Sequence, residues 1–132
     1  MRAKFTTLDC IAAPSRTEAD LAMELGQPLR HALAPMRAIA RHLERSGVEL
    51  RGSVTEWEGY GWSFAMREGE AEVHCMVQWG DEWLMMCWPQ RSLTDRLRGR
   101  HFLVELDLAC SRIGEAISAS LTAPVPRWRD RA

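Results

Sequence analysis

The chain has 132 residues, 46% of them hydrophobic and 27% charged, with a formal net charge of −1. That length suits one domain with a sizeable core, and the composition is that of a folded globular protein rather than a disordered one. No apolar run reaches the roughly twenty residues of a membrane helix, so no membrane partner is expected.

Residues 1–14 carry two basic side chains and no continuous apolar stretch, so the reading is a cytoplasmic protein without a signal peptide. The four cysteines, Cys10, Cys75, Cys87 and Cys110, form no CxxC pair and are expected as free thiols. Charge is unevenly spread. Between residues 27 and 47 four arginines face one acid, whereas between residues 49 and 82 two arginines face eight acids.

In chain order, residues 5–11 read as a short strand or an ordered arm. Thr17, Glu18 and Asp20 give a helix start, with a hydroxyl cap and acids in the first turn, and that helix should end near Gly26. Pro28 can open a second helix, in which Leu29, Leu33, Met36, Ala40 and Leu43 form an apolar stripe of helical period. Pro35 inside that stripe predicts a kink, or two helices meeting there. Ser46-Gly47 ends it.

The middle of the chain alternates with period two. Trp62, Phe64 and Met66 alternate with smaller or polar residues, then Val73, Cys75, Val77 and Trp79, then Leu84, Met86 and Trp88. A Gly69-Glu70 hairpin loop sets Trp62 opposite Val77, Phe64 opposite Cys75 and Arg67 opposite Glu72. A two-residue Gly80-Asp81 loop sets Val77 opposite Leu84, Cys75 opposite Met86 and Val73 opposite Trp88. An earlier strand, 53–57, pairs through the Gly59 turn. Pro89 stops the last strand. Ser92 or Thr94 then caps a long helix with Phe102, Leu106, Ala109, Ile113, Ala116 and Ile117 on its buried side and Gly99 as a breaker near its start.

The expected fold is therefore an α+β two-layer sandwich, a four-stranded antiparallel meander with helices on one face, in the order α-α-β-β-β-β-α. Residues 1–121 form the domain and 122–132 an exposed tail. The bulky alternating set is core. The other sheet face, in this register, carries His74, Met76, Trp83, Met85 and Cys87, a soft surface rich in sulfur. It is expected to lie under the N-terminal arm or a helix, to stack on a second copy, or to meet another partner.

Catalytic signals are thin. His74 falls opposite Cys87 in this register, which suggests a thiol with its base or two metal ligands, but no further ligand lies near, and two half-buried strand residues are the preferred reading. The acids at the strand ends read as solvated charge, and the arginine stripe Arg37, Arg41 and Arg45 has no interleaved aromatic residue, so nucleic acid is not the expected partner. The glycine patterns of nucleotide loops, GxSxG and HExxH are missing. No catalytic residue, metal or cofactor is assigned. The expectation is a non-enzymatic protein-binding or assembly module of the chaperone, adaptor or immunity type, with a homodimer as one form and Trp83, Met85, Met76, Cys87 and His74 as contact residues. The alternative is a small-molecule binder or enzyme with a pocket between helices and sheet, lined by Trp62, Trp79, Trp88 and Met86.

Overall fold

The computed structural model describes residues 2–131. Within them one antiparallel sheet of six strands and four helices form an α+β fold. The strands are β1 (Ala3–Thr7), β2 (Thr55–Trp57), β3 (Gly61–Glu68), β4 (Ala71–Trp79), β5 (Trp83–Pro89) and β6 (Arg129–Arg131), in the spatial order β2-β3-β4-β5-β1-β6. The expected meander is the β2-β3-β4-β5 portion. The chain's two ends extend it: β1 pairs with β5, and β6 pairs with β1. Thus residues 3–7 are an integral strand, and part of the stretch expected as a tail returns to the sheet.

Helix α1 (Arg16–Leu25) starts on a capping box, with Ser15 accepting from the Glu18 N–H and Glu18 accepting from the Ser15 N–H. It ends on Gly26 in the left-handed conformation. A single 3-10 turn, Arg30–Ala32, leads into α2 (Leu33–Arg45). Pro35 is the third residue of α2, within the first turn, where a missing N–H breaks no helical bond. It therefore neither kinks nor splits the helix. The expected long C-terminal helix is divided into α3 (Leu93–Leu97) and α4 (Leu103–Leu121), separated by Gly99 and Phe102, both at positive φ.

Leu33, Met36, Ile39, Ala40 and Leu43 of α2 and Leu106, Ala109, Cys110, Ile113, Ala116 and Ile117 of α4 are buried in one core with Trp62, Phe64, Met66, Val73, Cys75 and Val77. These are the predicted apolar stripes with Ile39 and Cys110 added, while the predicted Leu29 and Phe102 precede the helices and are only partly buried. Gly114, in the middle of α4, leaves room for a different partner: Trp128, Val125 and Pro126 sit 3.5–3.6 Å from where its Cβ would be. The C-terminal segment is seated there before β6 begins.

The β3–β4 register is the expected one, with Trp62 opposite Val77 and Phe64 opposite Cys75. The β4–β5 register is not. The connection is three residues, Gly80-Asp81-Glu82, so Trp79 faces Trp83, Val77 faces Met85, Cys75 faces Cys87 and Val73 faces Pro89. A one-residue slip sends every side chain of β5 to the opposite face. Trp83, Met85 and Cys87, expected on the second face, are core at 3%, 0% and 0% exposure. Packing beneath α4 agrees with the observed register. There Cys75, Cys87 and Cys110 are all buried, and three small side chains let helix and sheet approach. The expected register would have put Met86 and Trp88 at that contact, which a close-packed interior cannot absorb.

Candidate functional site

The two helices that bury residues, α2 and α4, both pack into this core, whereas α1 and α3 bury none. Among the described residues, then, no helix buries a side chain against the second face of the sheet. Its cross-strand order follows from the registers. Phe5 of β1 faces Met86, which faces Met76, which faces Ser63; Trp88 faces His74, which faces Ala65; Leu84 faces Gln78, which faces Gly61, which faces Trp57.

The small residues of β3 on this face, Gly61, Ser63 and Ala65, shape it. Over these short side chains larger rings from both sides meet. Trp88 stacks on His74 with ring centroids 5.5 Å apart and planes 11° from parallel. Trp57 reaches from β2 to meet Trp88 edge to face at 5.3 Å and 67°. Gly61 is obligatory, because a Cβ there would lie 2.6 Å from the Val77 carbonyl oxygen and 3.3 Å from Met76 Sδ. Phe5, Trp57, Leu84, Met86 and Trp88 remain half-buried, so their rings and thioether are partly in solvent. Charge lies at the margin. Arg51 Nε is 3.0 Å from Glu72 Oε1, Arg67 Nε is 3.7 Å from Glu49 Oε2, and His74 Nε2 is 3.2 Å from Glu72 Oε2.

Of the expected contact residues, Met76 and His74 lie on this face. Trp83, Met85 and Cys87 do not, for the reason of register given above. Met86 and Trp88, expected in a pocket between helices and sheet, are on this face instead. Trp62 is core, its indole N–H donating to the Leu29 carbonyl at 2.8 Å and pinning the link before α2. The pairing of His74 with Cys87 does not form, since they lie on opposite faces. Cys87 instead contacts Cys75 and Cys110, and burial first, then hydrogen bonding to those two thiols, pushes its pKa well above the usual thiol value. Burial and a raised pKa both disfavour the thiolate that nucleophilic chemistry needs. No group of three or more His, Cys, Asp or Glu arranged to hold a metal ion occurs among the described residues. Nor is any helix long and apolar enough to cross a membrane.

A second feature lies at one end of the sheet. Helix α1 runs past the β2–β3 and β4–β5 turns and leaves a cleft of about 830 Å³. Ala19, Ala22, Met23 and Leu29 line one side; Tyr60 and Trp79 line the other, with Arg16, Asp20, Glu58 and Asp81 also on its surface. Trp79 is the only one of the four predicted pocket residues found there. Its ring is held edge to face against Trp83 at 5.3 Å, and the Trp83 indole N–H donates to Ala12 at 3.0 Å, tying down the segment that leads into α1. The far end of α1 rests directly on the β2–β3 turn: a Cβ on Gly59, at φ +79°, would lie 2.7 Å from the Gly26 carbonyl oxygen.

Sequence reasoning missed Phe5, Trp57 and Leu84 on the open face and α1 beside the cleft. The signal for Trp57 was present, since the Gly59 turn puts it opposite Gly61 on the same face as Ser63 and Ala65. Comparison with protein-family models, with curated proteins and with solved structures finds no match.

Proposed function

We propose that this chain is a non-enzymatic protein-binding module whose contact surface is the open face of the sheet, with a second copy stacked face to face as its simplest form. One observation carries the reading. Phe5, Trp57, Leu84, Met86 and Trp88, from the three strands β1, β2 and β5, form a half-buried apolar strip, and among the described residues no helix buries a side chain against it. Aromatic and methionine side chains at the centre with paired charges at the rim is the composition of an interface core and its border. Two sheets stack in this way at about 10 Å. The four unpaired thiols suit a cytoplasmic setting.

The test is the mass in solution of the wild type and of Met86→Arg with Trp88→Arg. A wild-type dimer that becomes a folded monomer in the double variant is the expected result. A wild-type monomer at high concentration would remove the self-stacked form.

A second reading, a small-molecule binder, draws support from the cleft at the end of the sheet, whose size and partly apolar, aromatic wall suit a ligand site, with charged groups also on its surface. Its test is saturable binding of an aromatic probe that perturbs Trp79.

A further inference from the structure

The acids at the two ends of the sheet are treated differently. At the β3–β4 end, four carboxylates each have an arginine: Glu49 meets Arg67, Glu68 meets Arg112 at 2.6 Å, Glu70 meets Arg100 at 3.3 Å and Glu72 meets Arg51, while Glu105 beside the turn has none among the described residues. At the opposite end, Glu58 and Asp81 on the two turns and Asp20 on α1 border the cleft, and among the described residues none of the three makes an ion pair. Among the described residues Arg16 is the single cation lining the cleft. An apolar cleft with an excess of unneutralised carboxylates is complementary to a positive charge on an apolar body.

The walls add the same preference. Tyr60 and Trp79 both line the cleft, and the negative face of an aromatic ring attracts ammonium and guanidinium groups. Tyr60 is held in place: its hydroxyl donates to Glu58 Oε2 at 3.1 Å and accepts from the Trp57 indole N–H at 3.2 Å. Trp79 is held by Trp83. Both rings are thus oriented before a ligand arrives, which lowers the ordering cost of binding.

From the unpaired acids, the two anchored rings and the cleft between them, we propose that this cleft binds a small organic cation, an ammonium or amidinium group carried on an aromatic or aliphatic body. The proposal rests on the small-molecule reading above and names its ligand class. The cation sits among Asp20, Glu58 and Asp81, and the apolar body lies along Ala19, Ala22 and Leu29.

The experiment compares three probes of similar shape by two-dimensional NMR: benzamidinium, benzyl alcohol and benzoate, each titrated into the full chain. Benzamidinium is expected to saturate, to shift the Trp79 indole N–H and the Gly26, Gly59 and Gly80 amides, and to bind at least about tenfold more tightly than benzyl alcohol. Added salt should weaken benzamidinium and leave benzyl alcohol unchanged. Glu58→Gln with Asp81→Asn, both on exposed turns, should remove that preference while the spectrum stays dispersed. If benzyl alcohol or benzoate binds as tightly at the same residues, the cation preference is wrong and the cleft remains a ligand site. If none of the three saturates, the ligand site itself is wrong. A blocked arginine tripeptide forms the last arm: if it alone shifts these residues, the occupant is a basic side chain of another protein and the small-molecule proposal falls.

Discussion

The sheet has two faces that both carry large apolar side chains and that meet different fates. On one, Trp62, Phe64, Met66, Val73, Cys75, Val77, Met85 and Cys87 are sealed by α2 and α4. On the other, Trp57, Leu84, Met86 and Trp88 keep part of their surface in water. Adjacent residues of β5 therefore have opposite surroundings: the first set is sealed in the core, and the second is apolar area left partly in water, the surface that we propose a partner covers. Hydrophobic character alone does not decide burial; what decides it is which face the helices reach.

Neighbouring methionines give the sharpest way to break this contrast. Met85→Ala removes a fully buried side chain beneath the helices and should cost about 2–5 kcal/mol in chemical denaturation. Met86→Ala, one residue on and facing outward, should cost less than about 1 kcal/mol yet weaken self-association. Equal losses at the two positions would mean that the β5 register is wrong. Next in size is Gly59→Ala. The new Cβ meets both a left-handed backbone and the Gly26 carbonyl at 2.7 Å, so a loss of about 1–3 kcal/mol is expected, together with displacement of α1 from the turn. A fully stable variant would show that α1 does not rest there.

The difference between the two β-turns also explains what the sequence discloses. Gly69-Glu70 is a two-residue loop, and the flanking alternation ends in the polar pair Arg67 and Glu72, so only one register satisfies both. Gly80-Asp81 resembles it, but Glu82 joins the connection, and the following Trp-Leu-Met-Met-Cys-Trp is apolar at every position. Alternation has no purchase on such a strand. The choice falls to a long-range constraint, the close approach of α4 at Cys110, which no local window contains. Strand β6 is hidden for a related reason: Arg-Asp-Arg has no apolar alternation and becomes a strand only because β1 offers it an edge. The open face was legible as an idea and at His74 and Met76; its aromatic members were not, because their side was decided by the slip. The cleft joins α1 to two turns about 30 to 60 residues away and left no local pattern to read.

The two capped helices, α1 and α3, sharpen the contrast at lower energy. Neither buries a residue, and each starts on a capping box, at Ser15 and Ser92. Ser15→Ala should cost about 0.5–2 kcal/mol locally. Because α1 lies outside the core, the loss should appear as faster amide exchange over residues 16–25, with the global unfolding midpoint almost unmoved. A large drop in global stability would place α1 within the cooperative core.

The smallest effect concerns the edge where the chain's two ends meet. Lys4 Nζ donates to Asp130 Oδ1 at 2.7 Å and lies 3.1 Å from Asp107 Oδ1, clipping β6 to β1 and to α4. The hydrogen bond from Lys4, and then its charge, holds the Asp130 pKa below the ordinary 3.8. The bond to Asp130, opposed by partial burial and helped by Asp107, raises that of Lys4 above 10.5. The folded aspartate value is depressed, so its contribution is complete above pH 3.8 and is lost as pH falls through the folded value. The folded lysine value is raised, so its contribution is complete below pH 10.5 and is lost as pH rises through the folded value. Between these limits the clip is at full strength. Asp130 is largely exposed, so solvent screening keeps the effect local. Amide exchange of Arg129–Arg131 should therefore quicken, relative to the intrinsic rate, as the pH drops below 3.8, while β3 and β4 stay protected. Asp130→Asn should show the quickened exchange at neutral pH and no acid limb. Exchange in β6 that ignores both the pH and the substitution would mean that backbone pairing alone holds this edge.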